Sequence, residues 1–397
     1  MIYLDNSATT KPCPEAVEAM TLAMTENWGN PSALYNFGID TAHMMRDARH
    51  KVAAALGAEP DRVFFTSGGT EADNWAVSGT VKRFGKRGKH IITTAIEHHA
   101  ILNPMKELEA QGFEVTYLQP DSEGRITPDA LKAALRKDTI LVSVMMVNNE
   151  VGSVMPIAQM AKLTHKLCPN AVFHTDAVQG FLKIPFSAKT LGADLISISS
   201  HKVHGPKGAG ALYVSPKLKS FPAMLLGGGQ ESNMRSGTEG TPAIFSFAAA
   251  ASAGAATFKE DIAREKELLS GLVEKLSAYP GIRINGCHEA PHILSLSVPG
   301  VPTQIILSLF AEIKALSQKS PRFKSSSTAP GSFVSALCGA VPSRRATRLS
   351  SFFRITPSRE FVSEEQNISS VSILPESSLW IFFIKLLFPV PGPPLII

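Results

Sequence analysis

Between residues 63 and 214 the chain alternates short apolar runs with longer stretches in which apolar residues recur every three or four positions. The short runs, Val63–Thr66, His90–Thr94, Glu114–Leu118, Ile140–Met146, Ala171–Thr175, Asp194–Ser199 and Gly210–Val214, predict β-strands. Several are apolar almost throughout, as expected of strands covered on both faces. The longer stretches predict helices over Asp40–Leu56, Thr70–Phe84, Ala100–Gln111, Pro128–Leu135 and Pro156–Leu167. This alternation predicts an α/β fold, a mainly parallel sheet flanked by helices. A Gly-rich stretch, Gly227–Gly240, closes the region. An Ala-rich helix over Pro242–Phe258 and a charged amphipathic helix over Lys259–Leu276 then predict a bridge to a smaller α+β domain.

After Ile313 the pattern fades. Residues 314–378 hold seventeen serines, and no Asp or Tyr occurs from 314 onward, whereas the first 313 residues hold eleven Asp and all five Tyr. A Ser-rich flexible tail is one reading; a segment never selected to complete this fold is the other. Over all 397 residues, 44% hydrophobic and 18% charged content implies a globular chain. The net charge of +5 is spread thinly, with no basic block, so no nucleic-acid partner is expected. The four cysteines, Cys13, Cys168, Cys287 and Cys338, are scattered, which fits a reducing compartment rather than a disulfide framework. Met1 leads straight into a strand-like YLDNSATT instead of a secretory leader. The longest apolar run, Leu379–Phe388, is broken by Lys385 and is shorter than the ~20 residues of a membrane helix. A cytoplasmic protein without a membrane partner is expected; a collagen, a secreted miniprotein and a polytopic membrane protein are excluded.

Five polar clusters follow predicted strands. Lys202, in Ser-Ile-Ser-Ser-His-Lys, stands just past an apolar strand, where partial desolvation makes an amine nucleophilic toward an aldehyde; its ordinary alternative is a solvated turn lysine. Asp176 ends another apolar strand, where a carboxylate can keep an aromatic ring nitrogen protonated; the alternative is a helix N-cap. Thr66-Ser67-Gly68-Gly69-Thr70 runs from strand to helix, which suits an anion cradled by backbone N–H groups or an ordinary turn. His98, in Glu97-His98-His99, offers an imidazole to stack on a flat ring; no Cys or carboxylate stands at ligand spacing, so no metal is expected. Asn148-Asn149-Glu150 offers an amide to a phenolic oxygen. In α/β folds ligands bind at the carboxyl ends of the strands, and phosphate, ring, ring nitrogen and aldehyde are together the features of pyridoxal phosphate.

The segments YLDNSATT, NWGNPSALYNFG, FTSGGTEADN, EHHAIL, VNNEVG, HTDAVQ, SSHKVHGPKG, GGGQESNMRSGTEG and PHILSLSVPG, in this order, resemble the NifS/IscS-type cysteine desulfurases, class-V (fold-type I) enzymes of pyridoxal phosphate. The resemblance covers residues 1 to about 317. It implies that Lys202 forms the Schiff base with the cofactor, Asp176 pairs with its ring nitrogen and Gln179 contacts the phenolic-oxygen region. It implies that His98 stacks on the ring and acts as acid or base, and that Asn149 faces substrate and phenolic oxygen. Gly69, Thr70, Ser199 and His201 would hold the phosphate. Thr238 would reach the phosphate of the neighbouring subunit in a homodimer, with Arg235 near that interface. The implied activity takes L-cysteine to L-alanine, leaving the sulfur as a persulfide on an enzyme cysteine for an iron–sulfur scaffold or other acceptor protein. The implied domains are a large cofactor-binding domain over 14–258, a small-domain part over 1–13 and 259–317, and an aberrant tail over 318–397.

The departure from the family is local and abrupt. Its nucleophilic cysteine belongs to a loop of the type (V/L)-S-x-G-S-A-C, but this chain reads Ala315-Leu316-Ser317-Gln318-Lys319-Ser320-Pro321. Proline has no thiol and a fixed backbone. Arg348 arrives too early to match the family's substrate-carboxylate arginine. With the break in composition, this points to a shifted reading frame from about residues 314–318, tested by reading the gene in its other frames. Cys338 is either a relocated nucleophile or incidental; Cys13, Cys168 and Cys287 read as structural. The alternatives to a desulfurase are a class-V lyase or aminotransferase, which needs no such thiol, and a non-catalytic cofactor-binding protein.

Overall fold

The seven predicted strands form one sheet. They are β1 (Val63–Thr66), β2 (His90–Thr94), β3 (Glu114–Leu118), β4 (Thr139–Ser143), β5 (Val172–Asp176), β6 (Leu195–Ser199) and β7 (Gly210–Val214), in the spatial order β1-β7-β6-β5-β4-β2-β3. Neighbours from β6 through to β3 pair in parallel; β7 runs antiparallel to both β6 and β1. The computed structural model describes residues 3–301. These divide into a larger unit, residues 3–272 and 284–295, and the described part of a smaller one, residues 273–283 and 296–301.

The apolar strands follow from burial on both faces, since successive side chains of a strand point to opposite sides. Phe65, Ile92, Val142, Phe173 and Ile196 belong to one core cluster. It includes α2 (Asn36–Leu56), through Met45 and Val52, and α6 (Ile157–Leu167), through Met160. Their sequence neighbours Phe64, Ile91, Leu141, Val172 and Leu195 belong to the opposite cluster. There they meet Trp75 of α3 (Gly69–Phe84) and Ile101 and Met105 of α4 (His99–Ala110). The remaining elements are α1 (Pro14–Thr25), α5 (Pro128–Ala134), α7 (Ala188–Leu191), α8 (Thr241–Ser277) and two short strands, β8 (Arg283–Asn285) and β9 (Ser295–Ser297).

Several boundaries differ from expectation. α1 is absent from the sequence reading because it buries only Ala16 and Ala23, too little for a clear apolar stripe. α2 begins at Asn36 rather than Asp40, since Tyr35 makes no side-chain cap that would mark the start. β4 stops at Ser143 rather than Met146. Beyond it the Val144 and Met146 N–H groups still donate to the carbonyls of His174 and Asp176, at 3.1 and 2.8 Å, as the chain tracks the end of β5. The two helices expected over 242–276 are one helix, α8: composition changes near Phe258, but no proline breaks the backbone there. By length and composition α8 could cross a membrane, yet Ile244, Phe247 and Ala251 lie in the protein core. Residues 314–397, with Pro321, Cys338 and Arg348, lie outside the described residues.

One buried ion pair fixes the Gly-rich loop to the start of the sheet. Glu231 stands in a left-handed turn with Ser232 and Asn233 (φ 50°, 56° and 66°). Its carboxylate accepts two bonds from the Arg49 guanidinium, at 2.6 and 2.7 Å, and the Phe65 N–H at 2.8 Å. Arg49 also donates to the Val63 carbonyl at 2.7 Å and lies over the Phe65 ring. Removing Glu231 leaves the buried Phe65 N–H and the part-buried Arg49 guanidinium without their acceptor. Glu231→Ala is therefore expected to destabilise the protein by about 3 kcal/mol, read as a lower denaturant midpoint.

Candidate active site

In the six mutually parallel strands the carboxyl ends lie along one edge of the sheet, and the five clusters stand there. β1 ends at Thr66 and passes through Ser67 and Gly68 into α3; β2 leads to Glu97 and His98, and β4 to Asn148 and Asn149. β5 ends on Asp176, and β6 ends on Ser199 and turns at once into a short helical turn over Ser200–Lys202. Asp176, Gln179 and Ser199 are buried and form the floor. Gly69, Asn149, His201 and Lys202 are half-buried, and Thr70 and His98 are exposed.

The start of α3 has the features of an anion site. Gly68 takes a φ of 154° with ψ −178°, a conformation that favours glycine, and no side chain caps the helix. The first-turn N–H groups therefore remain available, at the positive end of the helix. A Cβ on Gly69 would come within 2.7 Å of Val178 Cγ2, and one on Gly210 within 2.7 Å of the Gly68 backbone, so bare backbone lines the cradle. Behind it the Ser199 hydroxyl is buried with no hydrogen-bond partner, and a Cβ on Gly69 would lie 3.6 Å from Ser199 Cβ. An unpaired buried hydroxyl at a helix N-terminus suits a phosphate. Glu71 Oε2 accepts the Ser67 N–H at 3.1 Å, and Arg235 grips the Glu71 carboxylate at 2.8 and 3.2 Å.

At the floor, Asp176 Oδ1 accepts the Val178 N–H at 2.9 Å. Burial pushes its carboxyl up; the Val178 N–H, His98 and Lys202 push it back down. A cationic ring nitrogen against this carboxyl would complete what the protein begins, so the donor set fits pyridoxal phosphate. His98 Nδ1 accepts the Ala100 N–H at 3.1 Å, which leaves the proton of the neutral ring on Nε2. The ring is reachable from solvent, yet enough protein surrounds it to push its pKa down.

The Lys202 amine is held by the N-terminal segment, which the sequence analysis did not place at the site. Lys202 Nζ donates to the carbonyls of Ser7 and of Ala8, the latter at 2.8 Å. Gln179 Nε2 also donates to the Ser7 carbonyl, at 2.9 Å. The segment continues along residues 201–204. Thr10 donates through N–H and hydroxyl to the His201 carbonyl (2.8 and 3.0 Å), its hydroxyl accepts the His204 N–H (2.7 Å), and the Cys13 N–H donates to the His204 carbonyl (2.9 Å). His204 has a φ of 61°, a left-handed conformation fixed by these bonds. Main-chain carbonyls nearly two hundred residues away leave no motif to read.

Thr238 is exposed on the 227–240 loop. Of the paired amides, Asn148 is the buried one and ties loops together, while Asn149 Nδ2 donates to Glu150 at 2.7 Å. Two further acids beneath the floor were not singled out: Asp73 and Glu97. Among the described residues no group of three His, Cys, Asp or Glu is placed to hold a metal.

Comparison with known proteins agrees with this geometry. The aminotransferase class-V family model matches residues 2–317. The chain is 46% identical to a cysteine desulfurase IscS of Methanosarcina thermophila over 285 residues, covering 72% of this chain and 70% of that one. It is 42% identical to the IscS of Dictyoglomus turgidum over 309 residues, 77% and 78% of the two chains. Among solved structures, a NifS-like protein superposes with a TM-score of 0.76 at 38% identity, over 79% of this chain and 86% of its own. DndA from Streptomyces lividans does so with a TM-score of 0.69 at 35% identity, over 87% and 97%.

Burial also sets an acid limit. His174, buried under the sheet edge between the Ser143 and Ser197 hydroxyls at 2.9 Å each, has its pKa pushed down to about 3. His201 and His204 are each pushed down to about 4, by burial first and neighbouring lysines second. An unfolded chain takes up these protons near pH 6.5, the folded one only well below that, so their contribution is present above pH 6.5 and lost on acidification toward 4. Followed by NMR in the folded protein, the His174, His201 and His204 imidazoles are expected to be still neutral at pH 5.5; protonation of all three near pH 6.5 would contradict their burial.

Proposed function

The chain belongs to the class-V aminotransferases and, within them, to the NifS/IscS-type cysteine desulfurases, pyridoxal phosphate-dependent enzymes; from that premise we propose how its own residues divide the work. One observation carries the reading. Lys202, Asp176, His98 and an uncapped helix N-terminus share one sheet edge, each on the side chain or backbone type that the cofactor requires. When bound, the cofactor supplies an electron sink conjugated to the substrate amine.

Lys202 would hold the cofactor through its aldehyde, its amine presented by the carbonyls of Ser7 and Ala8. Asp176 holds a proton on the ring nitrogen, and Gln179, anchored on the Ser7 carbonyl, borders the phenolic oxygen. Gly69, Thr70, Ser199 and His201 hold the phosphate. His98 packs against the ring and moves protons at Nε2, and Asn149 faces the substrate. Thr238 serves the phosphate of the second subunit in a homodimer, with Arg235 close by. The substrate is L-cysteine, the product alanine, and the sulfur leaves to an acceptor protein such as an iron–sulfur scaffold. The setting is cytoplasmic.

The described cysteines are engaged elsewhere. Cys168 Sγ donates to the Arg136 carbonyl at 3.0 Å, and Cys287 lies between Arg125 and Glu289. Cys13 precedes α1, and burial pushes its thiol up, away from the reactive thiolate. A sulfur-accepting thiol on this chain is then Cys338 or none.

Full-length protein with pyridoxal phosphate is expected to be yellow, and borohydride to fix the cofactor on Lys202. Lys202→Ala is expected to lose the fixed cofactor and more than 1,000-fold of alanine formation from L-cysteine. Colourless wild-type protein would overturn the reading, and pyruvate without alanine would move it to a lyase. Sulfide release under reductant that is lost in Cys338→Ala would place the nucleophile there.

A further inference from the structure

The loops that carry His98 and Asn149 are joined by a single buried carboxyl. Glu97 is 6% exposed. Its Oε1 accepts the Thr94 hydroxyl at the end of β2 and the Met145 N–H beyond β4, both at 2.8 Å. Beside it Asn148 Nδ2 donates to the Ile96 carbonyl at 3.1 Å, while its Oδ1 accepts the N–H groups of Glu150 and Val151 at 2.9 Å each. Two side chains thus stitch residues 94–98 to residues 145–151. Glu97 Oε2, by contrast, is buried without a partner.

We propose that Glu97 is a positioning residue of this site: a buried carboxyl whose one bonded oxygen locks the His98 loop to the Asn149 loop. The inference rests on the reading of this edge as the cofactor site. An ionised carboxylate can accept at both oxygens, and here only one has donors; burial favours the uncharged form. The charged groups that face Glu97 are acids, Asp176 from β5 and Asp73 from α3. Burial pushes its carboxyl up to about 8, against the Met145 N–H and the Thr94 hydroxyl, and Asp176 adds the smallest, upward push. Ionisation in alkali places a second negative charge beside Asp176 in a dry interior. Because the folded state keeps a proton that the unfolded chain loses near pH 4.5, this group's contribution is complete below 4.5 and is lost as pH rises to about 8.

Glu97→Gln keeps the accepting oxygen but cannot ionise; Glu97→Ala removes the clamp. The full chain and both variants are titrated with pyridoxal phosphate, and the visible absorbance of each loaded protein is followed from pH 6 to 9.5. The Gln variant is expected to bind the cofactor within twofold of wild type at pH 7 and to lack an absorbance step near pH 8 that wild type shows. The Ala variant, if its circular dichroism matches wild type, is expected to bind at least tenfold more weakly. A Gln variant tenfold weaker at pH 7, or one with the wild-type alkaline step, overturns the proposal; so does a folded Ala variant that binds like wild type. If the Ala variant does not fold, the Gln comparison decides. Failure of wild type itself to bind the cofactor overturns the site reading first, and distinguishes that failure from this one.

Discussion

The constraint on which the site depends is that the sheet is buried on both faces. Phe64 and Phe65, Ile91 and Ile92, and Leu195 and Ile196 send neighbouring side chains into opposite cores. The ends of the strands, where backbone groups outrun the ladder, are then the natural place for functional groups facing solvent. Parallel strands put those ends side by side. Residues 66–70, 98, 149, 176 and 199–202, spread over more than a hundred positions, therefore meet along one edge.

That edge is completed from an unexpected direction. The 7–13 segment runs back along residues 201–204 and presents two carbonyls to Lys202 and one of them also to Gln179. Two carbonyl acceptors define where the amine sits. The left-handed His204 is held by the same segment. Strain next to a reactive residue persists only where the surroundings over-determine it, and the Thr10 bonds supply that.

Below the edge lies an unusually acidic interior for a buried sheet. Asp73, Glu97 and Asp176 are all buried there, with His174 between the Ser143 and Ser197 hydroxyls. Like charges in a dry region cannot all ionise. The Val178 N–H, His98 and Lys202 each favour ionised Asp176, so the charge settles there. The other two acids then contribute acceptors and shape rather than charge.

The strands and the placement of Lys202, Asp176, His98 and the Gly68–Gly69 turn at their ends were legible from the chain, because short-range patterns encode them: two-sided apolar runs, a glycine pair before a helix, a polar residue just past each strand. Helix ends without caps, such as Tyr35, and a helix whose composition changes midway, as in α8, were legible only in part. The break after residue 317 was also legible, and the family match ends there. What the tertiary structure alone decided is which backbone carbonyls hold Lys202, which of Asn148 and Asn149 is buried, and that Glu97 bridges two loops. Those facts depend on groups brought together from distant parts of the chain. Every residue has a carbonyl, so only the fold can say which one is used.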